Sequence, residues 1–398
     1  MTRASRTNKT VRLVIITLAV IAGVELLSYL FKNTGYEGRE VIFYLRCLEL
    51  IILIGIWGFR AKKEWIKNLT LSFISVGFML LLLDFIFFIL IIIKVPEKSP
   101  TLLPPASSFV VKDKDLGYVP MPDKIFNPVV KFDTFTLYNI HFTTDHFSRR
   151  INPFDTNKVH KKYALFFGCS ITFGEGVNDS ETFPARFAQD DKDYHSYNFG
   201  YSGYGPQQML ANLQKANLKD EIKEKDGVAF YTYISPHINR AIGDMQTYNA
   251  WGAEMPYYYE KDDSIVRKGT FTSGRWFVSK IYTLLGRSSI IKYFKINIPF
   301  KIRERHYRFV AKMIKASYNQ YVKTFENENF YIIIFPGETE DMIPYLKEQN
   351  LKYLDYTRLF DRWNPKYCFM PYDMHPRPVA DAIFAKQLSK DIKILDPK

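Results

Sequence analysis

Cysteine is scarce in this sequence, with only three residues in 398. So few thiols exclude a disulfide-stapled scaffold, and no CxxC motif or His/Cys cluster has the spacing of a metal site. Cys169 and Cys368 could pair in an oxidising compartment, but nothing in the sequence places them within bonding distance. We therefore expect separate, buried thiols, and neither a metal ion nor a cofactor.

Internal repeats are absent as well, and an aromatic fraction of 16% is too high for a disordered chain. The formal net charge is +13. Much of this excess flanks the apolar runs near the N-terminus, and the remainder is mild for so long a segment. Such a balance suits an envelope surface or an anionic glycan as partner, and it does not require nucleic acid.

Long apolar runs are present at 11–31, 41–59 and 69–93. Each has the length of a bilayer-spanning helix, about 20 residues. No small-residue cleavage site follows the first run, so we interpret it as a retained anchor rather than a signal peptide. The sequence thus predicts a membrane domain over 1–95, with three transmembrane helices in the lipid bilayer.

The flanking charges predict the orientation of these helices. Lys and Arg are concentrated before the first run and between the second and third, whereas the loop between the first and second carries only Lys32 and Arg39. By the positive-inside rule, the N-terminus is cytoplasmic. Three spans then place everything after Ile93 in the periplasm or outside the cell.

Four charged residues fall inside the predicted spans, namely Glu25, Arg46, Glu49 and Asp84. Charges inside a membrane are costly, so a functional role is the default hypothesis. The alternative is that Arg46 pairs with one or two of the acids and locks a three-helix bundle. The spread of four charges over three spans favours this structural interpretation.

The remaining chain divides by its patterns into two parts. A Pro/Ser-rich linker at 94–108 follows the third apolar run. The first part, residues 96–160, contains most of this linker and continues as a β-rich lead-in, since KFDTFTLYNIHFT alternates as antiparallel strands do. From 161 to 398, buried strand-like runs alternate with helix-length segments, which predicts an α/β domain with a parallel sheet covered on both faces. A tyrosine- and glycine-rich insertion at about 243–300 is typical of a lid or substrate wall.

A Gly-Cys-Ser turn ends the first strand of this sheet, in the stretch LFFGCSITFGEG. Ligands bind at the carboxyl ends of the strands in open parallel sheets, so Ser170 is well placed to act as a nucleophile. A serine in such a turn is nevertheless structural more often than catalytic. Catalysis also requires a base, an acid that orients the base, and donors for an oxyanion.

The stretch PYDMHPRP places Asp373 two residues before His375, directly ahead of the last helix. An acid in that position can accept the Nδ1 proton, which leaves Nε2 free to take a proton from serine. Taken alone, the pair is also consistent with a helix-capping acid beside a satisfied histidine. The glycine-rich loop 197–206 and the loop 233–240 follow the second and third strands and can supply oxyanion donors.

These blocks, in this order, resemble the SGNH, or GDSL-like, hydrolases of the membrane-tethered bacterial type over about 161–398. The resemblance implies a flavodoxin-like, doubly wound parallel sheet after the three membrane helices. It also implies a triad of Ser170 as nucleophile, His375 as base and Asp373 as orienting acid. Two departures are that Cys169 replaces an aspartate outside the triad, and that the acid stands two residues before the histidine instead of three.

The resemblance also implies which groups hold the oxyanion. The backbone N–H of Ser170 and that of Gly203, in the second block, match the family's donors. The third block lacks the family's Gly-x-Asn-Asp, so Asn239 and His237 remain alternatives for the last donor.

A membrane-anchored, extracytoplasmic serine esterase is the function that this resemblance implies. Its substrate would be an acyl ester, with acetyl expected, on an envelope glycan or lipid. One alternative is an O-acyltransferase that uses the same site and receives its acyl group from a membrane partner. Another is a catalytically inactive glycan-binding or scaffold protein.

Overall fold

Residues 3–94, 99–154 and 159–395 are described by the computed structural model. Part of the linker predicted at 94–108, residues 95–98, lies outside the described residues. The chain divides into two compact units, of which the first comprises Met1–Pro96 and Thr283–Ile296 and the second comprises Glu97–Tyr282 and Asn297–Lys398.

Three long helices build most of the first unit: α1 (Arg3–Phe31), α2 (Gly35–Gly58) and α3 (Glu64–Ile93). Each contains a segment that is long and apolar enough to cross a membrane. The three predicted apolar runs are therefore helical, and they extend somewhat beyond the predicted bounds.

The charges inside these helices form two separate groups. Arg46 contacts Glu25 of α1 at 2.6 Å and Glu49 at 3.0 Å, which confirms the prediction that the arginine pairs with nearby acids. Asp84 lies outside this network. It binds Tyr44 and residues 288–290, which come from the part of the insertion that belongs to this unit.

A five-stranded parallel sheet is the centre of the second unit. Its strands are β1 (Lys162–Phe167), β2 (Tyr194–Asn198), β3 (Asp226–Tyr233), β4 (Phe330–Ile334) and β5 (Tyr353–Asp355). Their order across the sheet is β5-β4-β3-β1-β2, which read from the other edge is the flavodoxin-like order 2-1-3-4-5. The predicted parallel α/β sheet is confirmed.

Helices cover both faces of this sheet because its strands are apolar on both faces. Tyr231 packs into the core beneath helices Pro206–Leu213 and Glu304–Phe325, and its neighbour Phe230 packs into the opposite core. That opposite core is closed by the helices Phe183–Asp190 and Pro378–Leu395. Shorter helices of this unit span Leu218–Glu221, Pro236–Ile242 and Ile343–Glu348.

The lead-in consists of short antiparallel pairs. One three-stranded sheet joins Thr101–Leu103, Val129–Phe132 and Phe135–Asn139. Two further pairs join Val110–Asp113 with Gly117–Pro120 and Ile125–Phe126 with Phe142–Thr143. The lead-in contributes its own buried aromatic side chains, and Tyr138 and Arg150 of the lead-in reach loops of the second unit.

The insertion has regular structure over most of its length. It contains the antiparallel pair Pro256–Lys261 and Ser264–Thr270, with short helices before and after it. Its segment Thr283–Ile296 belongs to the first unit with the apolar helices, a feature that the sequence pattern did not reveal. The helices are Met245–Thr247, Phe271–Gly274, Trp276–Leu285 and Ser289–Tyr293.

Candidate active site

Ser170 is the first residue of a four-residue helix, Ser170–Phe173. Two residues, Gly168 and Cys169, separate this helix from the end of β1. The serine is 8% exposed, at the carboxyl end of the strand. Gly168 lies so close to Thr172 that a Cβ at this glycine would stand 2.1 Å from the threonine hydroxyl. The strand can turn into the helix here because residue 168 has no side chain, and this turn brings Ser170 to the rim of the sheet.

Two backbone N–H groups near this rim are free to donate. The N–H of Ser170 has no partner within its helix, because it belongs to the first helical residue. Gly203 adopts a φ of +81°, and a Cβ there would stand 2.5 Å from the Tyr118 hydroxyl and 2.7 Å from Nε1 of Trp251. No described residue accepts a hydrogen bond from the N–H of Gly203. Both predicted backbone donors therefore remain available to a ligand.

Asn198 joins the loop after β2 to the helix of Ser170. Its Oδ1 accepts from the N–H of Gly200 at 3.0 Å, and its Nδ2 donates to the carbonyl of Thr172 at 2.8 Å. A buried side-chain amide that forms hydrogen bonds with both loops fixes the distance between them. The Gly203 loop is thus held in register with the candidate nucleophile.

Asp373 and His375 form a hydrogen-bonded pair on the loop before the last helix. Nδ1 of His375 lies 2.5 Å from Oδ1 of Asp373, and the backbone N–H of His375 donates to the same oxygen at 3.1 Å. The other carboxylate oxygen accepts from the hydroxyl of Tyr138 at 3.2 Å. The backbone N–H of Phe369 donates to the carbonyl of His375, which closes the loop. The structure thus brings the predicted acid and imidazole together, with Nδ1 against the carboxylate.

Glu175 brings the serine loop and the histidine loop together. Its backbone N–H donates to the carbonyl of Ser170 at 2.9 Å, and its Oε2 lies 3.7 Å from Nε2 of His375. The hydroxyl of Ser202 donates to this same Oε2 at 2.5 Å. Ser170 Oγ itself has no hydrogen-bond partner among the described residues. Its loop and the free nitrogen of the histidine nevertheless share one cleft.

The charged groups around Asp373 and His375 determine which of the two side chains carries a proton at neutral pH. Burial alone lowers the pKa of His375, but the carboxylates of Glu175 and then Asp373 outweigh burial and raise that pKa to about 9. Burial raises the pKa of Asp373, yet the hydrogen bond and charge of His375 hold it below its usual range. At neutral pH the acid is therefore ionised and most of the histidine is protonated.

Substitution of Glu175 by glutamine is expected to increase ester hydrolysis at neutral pH. The base must be neutral to accept a proton, so kcat/KM of the native chain should rise with pH up to about 9. Glu175→Gln removes the charge 3.7 Å from Nε2, which lowers the pKa of His375. We expect a gain on the order of tenfold at pH 7, with the midpoint of the profile moved to lower pH.

The measurement is the dependence of kcat/KM on pH for a soluble aryl acetate. Glu254→Gln is the matched control, because it removes an exposed carboxylate of the same domain. An unchanged midpoint in Glu175→Gln would contradict the coupling between Glu175 and His375.

The two alternatives for the third oxyanion donor occupy different environments. His237 is fully buried, and its Nδ1 lies 2.7 Å from the Tyr231 hydroxyl. Asn239 borders a cavity, and its Nδ2 donates to Asp244 at 2.5 Å. Both residues lie on the short helix Pro236–Ile242, but only Asn239 has access to a ligand.

A buried arginine of the lead-in organises the loop that carries Glu175. The guanidinium of Arg150 donates to the carbonyls of Gly174 at 2.6 Å and Val177 at 2.7 Å, and it pairs with Asp179 at 2.7 Å. Sequence reasoning assigned no role to this residue. The two consecutive arginines of TTDHFSRR were a visible feature of the sequence, but the residues around them do not show which groups Arg150 contacts.

An open cavity of about 660 Å³ lies between the helix Pro236–Ile242 and the insertion. It begins beside the Gly203 loop, because the indole N–H of Trp251 donates to the Gly203 carbonyl at 3.4 Å. Its wall combines polar side chains with the apolar side chains of Pro236, Ile238, Ala250 and Ile302 and with an indole and a phenol ring. Among its lining residues are Ser235, Asn239, Arg240, Trp251 and Tyr307.

Metal-binding groups are not assembled in this structure. Among residues 3–94, 99–154 and 159–395, no group of three or more His, Cys, Asp or Glu side chains is arranged to hold a metal ion. The three cysteines of the sequence are free thiols, and both Cys169 and Cys368 are buried.

No model of a known protein family and no curated protein matches the chain. Solved structures do match it. An acetyl xylan esterase from the rumen bacterium Butyrivibrio proteoclasticus aligns at 12% identity with a TM-score of 0.34, over 60% of this chain and 64% of its own.

Two further matches have similar values. A family two carbohydrate esterase from Clostridium thermocellum, solved in complex with cellohexaose, aligns at 10% identity and a TM-score of 0.35, over 60% of this chain and 65% of its own. A member of the lipolytic protein G-D-S-L family from Veillonella parvula aligns at 12% identity with a TM-score of 0.33, over 57% of this chain and 97% of its own. The chain spans less than two thirds of either carbohydrate esterase. The matched proteins are two esterases and a G-D-S-L protein.

Proposed function

We propose that the chain is a membrane-anchored serine esterase that removes acetyl groups from a glycan of the cell envelope. The observation that carries this proposal is the Asp373–His375 pair, whose Nε2 points into the cleft formed by the Ser170 loop. A serine at the end of a strand, an oriented imidazole and two free N–H groups are the parts that acyl transfer needs.

In the proposed reaction, Ser170 Oγ attacks the ester carbonyl while Nε2 of His375 takes the hydroxyl proton. The N–H groups of Ser170 and Gly203 stabilise the oxyanion, with the amide of Asn239 as the third donor. Collapse of the tetrahedral intermediate breaks the bond to the sugar oxygen, which leaves with the proton from the imidazolium. Water then attacks the acetyl-enzyme by the same steps in reverse, so acetate is released and the serine is restored.

The cavity beside Gly203 supports a glycan over a lipid as the bearer of the acetyl group. An acyl chain requires a continuous apolar lining, whereas the hydroxyl, amide and guanidinium groups of Ser235, Asn239 and Arg240 interrupt the apolar side chains of this wall. Trp251 and Tyr307 add ring surfaces against which a sugar face can pack. Such a mixed lining fits a ligand rich in hydroxyl groups.

The charge bias of the helix ends supports a cytoplasmic N-terminus. Arg3, Arg6, Lys9 and Arg12 precede or begin the first apolar segment, and the loop between α2 and α3 is again basic. With three spans, the candidate active site faces the periplasm or the cell exterior, where envelope glycans are located.

Acetate release by membranes of known sidedness tests substrate and orientation together. Spheroplasts that express the full chain should release acetate from an added acetylated xylan, which cannot cross the membrane. Long-chain acyl esters should be poor substrates. Trp251→Ala should raise KM for the polysaccharide by roughly tenfold, a typical cost of an interface aromatic, and should leave hydrolysis of a small aryl acetate nearly unchanged.

Each other outcome contradicts a different part of the proposal. Release from inside-out vesicles alone would reverse the proposed orientation. Preferential hydrolysis of a long-chain ester would replace the glycan by a lipid. Absence of hydrolysis by well-folded protein on either side would contradict the esterase itself.

A further inference from the structure

A segment of the insertion is built into the apolar helical unit by Asp84 of α3. One carboxylate oxygen accepts from the Ser288 hydroxyl at 2.5 Å and from the N–H of Ile290 at 3.1 Å. The other accepts from the Tyr44 hydroxyl at 2.7 Å and from the N–H of Ser289 at 3.0 Å. Asp84 thus satisfies the start of the helix Ser289–Tyr293 and explains one of the charges inside the predicted spans.

Two further contacts fix this segment within the same unit. Lys292 Nζ lies 2.9 Å from Oε1 of Glu40. The rings of Tyr293 and Phe294 pack on Phe87 of α3, with centroids 5.0 and 5.2 Å away. The chain directly after Arg287 is therefore held in place within this unit.

Arg287 and α2 line an open cavity of about 500 Å³ in this unit. The guanidinium carbon of Arg287 lies 5.7 Å from the centre of the Phe43 ring. Arg39 and Arg46 are seven positions apart on α2, so the cavity extends about 10 Å along the helix axis. Its lining residues are Arg39, Glu40, Ile42, Phe43, Arg46 and Arg287.

The charges around this cavity are not balanced. Arg46 is neutralised by Glu25 and Glu49, and Glu40 is neutralised by Lys292. Arg39 and Arg287 are exposed, and no carboxylate in the described part of the chain pairs with either. Two guanidinium groups beside an apolar ring at the end of a candidate membrane span form an anion-binding environment.

We infer that this cavity binds the phosphate of an anionic phospholipid headgroup. Arg39 stands two residues inside the candidate span Glu37–Gly58, which is the depth of the headgroups. The phosphate contacts the guanidinium groups of Arg39 and Arg287, and the glycerol and first acyl carbons descend along Phe43 and Ile42. Clustered basic side chains next to a membrane helix attract anionic headgroups electrostatically. The site does not depend on the esterase reaction.

Lipid binding to the purified full chain in a neutral detergent tests this inference. Native mass spectrometry would compare phosphatidylglycerol with phosphatidylcholine of the same acyl chains. We expect the anionic lipid to bind roughly tenfold more tightly, because each arginine near the headgroups contributes to its retention. The double variant Arg39→Gln/Arg287→Gln should bind both lipids equally.

The double variant Arg12→Gln/Lys62→Gln is the matched control, because it removes the same charge from exposed positions of the helical unit outside the cavity. Its preference for the anionic lipid should remain. Equal binding of both lipids by the native chain would overturn the inference, even if the variants fail to fold. Binding of soluble glycerol phosphate as tight as that of the lipid would also overturn it, since the site would then serve a free anion.

Discussion

Replacement of Ser170 by alanine is expected to abolish covalent labelling by a fluorophosphonate and to lower kcat for aryl acetate hydrolysis by about 10⁴- to 10⁶-fold. The reason is that the proposed mechanism uses Ser170 as the nucleophile at the carboxyl end of β1, while the neighbouring thiol of Cys169 is fully buried. Ser170 Oγ has no partner among the described residues, so its removal should change the free energy of unfolding by less than about 0.5 kcal/mol. Labelling is best measured at pH 9, where His375 is half neutral.

Ser180→Ala is the matched control, because Ser180 is exposed in the 3-10 helix Asp179–Glu181 of the same region. Its labelling should equal that of the native chain. If Ser170→Ala is still labelled, another serine is the nucleophile. If the folded native chain is not labelled at all, the cleft does not activate a serine, and the inactive glycan-binding alternative gains support.

The fold was predictable from the sequence where local patterns determine it. The run YALFFG is apolar at every position because β1 is buried on both faces, and four strands of this kind with helices between them indicate a parallel sheet. The flavodoxin-like strand order followed only from the family resemblance. Period and spacing do not encode which strands are neighbours, since that depends on contacts between residues far apart in the chain.

The candidate site was predictable where its parts are close in sequence. Asp373 and His375 are two residues apart, so their hydrogen bond could be expected from the spacing alone. Tyr138 could not be anticipated, because it reaches Asp373 across 235 residues. Glu175 lies between two glycines of the serine loop, which is a local signal, but its approach to His375 depends on how the two loops pack.

The choice between His237 and Asn239 shows a limit of a different kind. Both residues follow β3, and both can donate a hydrogen bond. His237 and Asn239 are two positions apart on a helix, so their side chains point about 200° apart. The face of the helix that packs against the core therefore decides which of the two is buried. In the structure His237 is the buried one and Asn239 borders the cavity, a distinction that the sequence alone did not contain.

Replacement of Asp373 by asparagine is expected to lower kcat by about 10⁴-fold, with little change in KM. An asparagine side chain can donate to Nδ1, which places the imidazole proton on Nε2 and prevents it from accepting the serine proton. The change also removes one of the two carboxylates that raise the pKa of His375. The midpoint of the pH profile should therefore fall below about 9 while the plateau stays low, a combination that a merely destabilised chain would not produce.

Tyr138→Phe separates orientation from charge. It removes a single 3.2 Å hydrogen bond to Oδ2 of Asp373 and leaves both the carboxylate and its bond to Nδ1 intact. We expect a decrease of roughly ten- to a hundredfold in kcat, since a hydrogen bond to a charged carboxylate contributes about 1.5–3 kcal/mol. If Asp373→Asn were as mild as Tyr138→Phe, the carboxylate would not be the group that orients His375. The geometry argues for the large difference, because the imidazole has no other acceptor for its Nδ1 proton among the described residues.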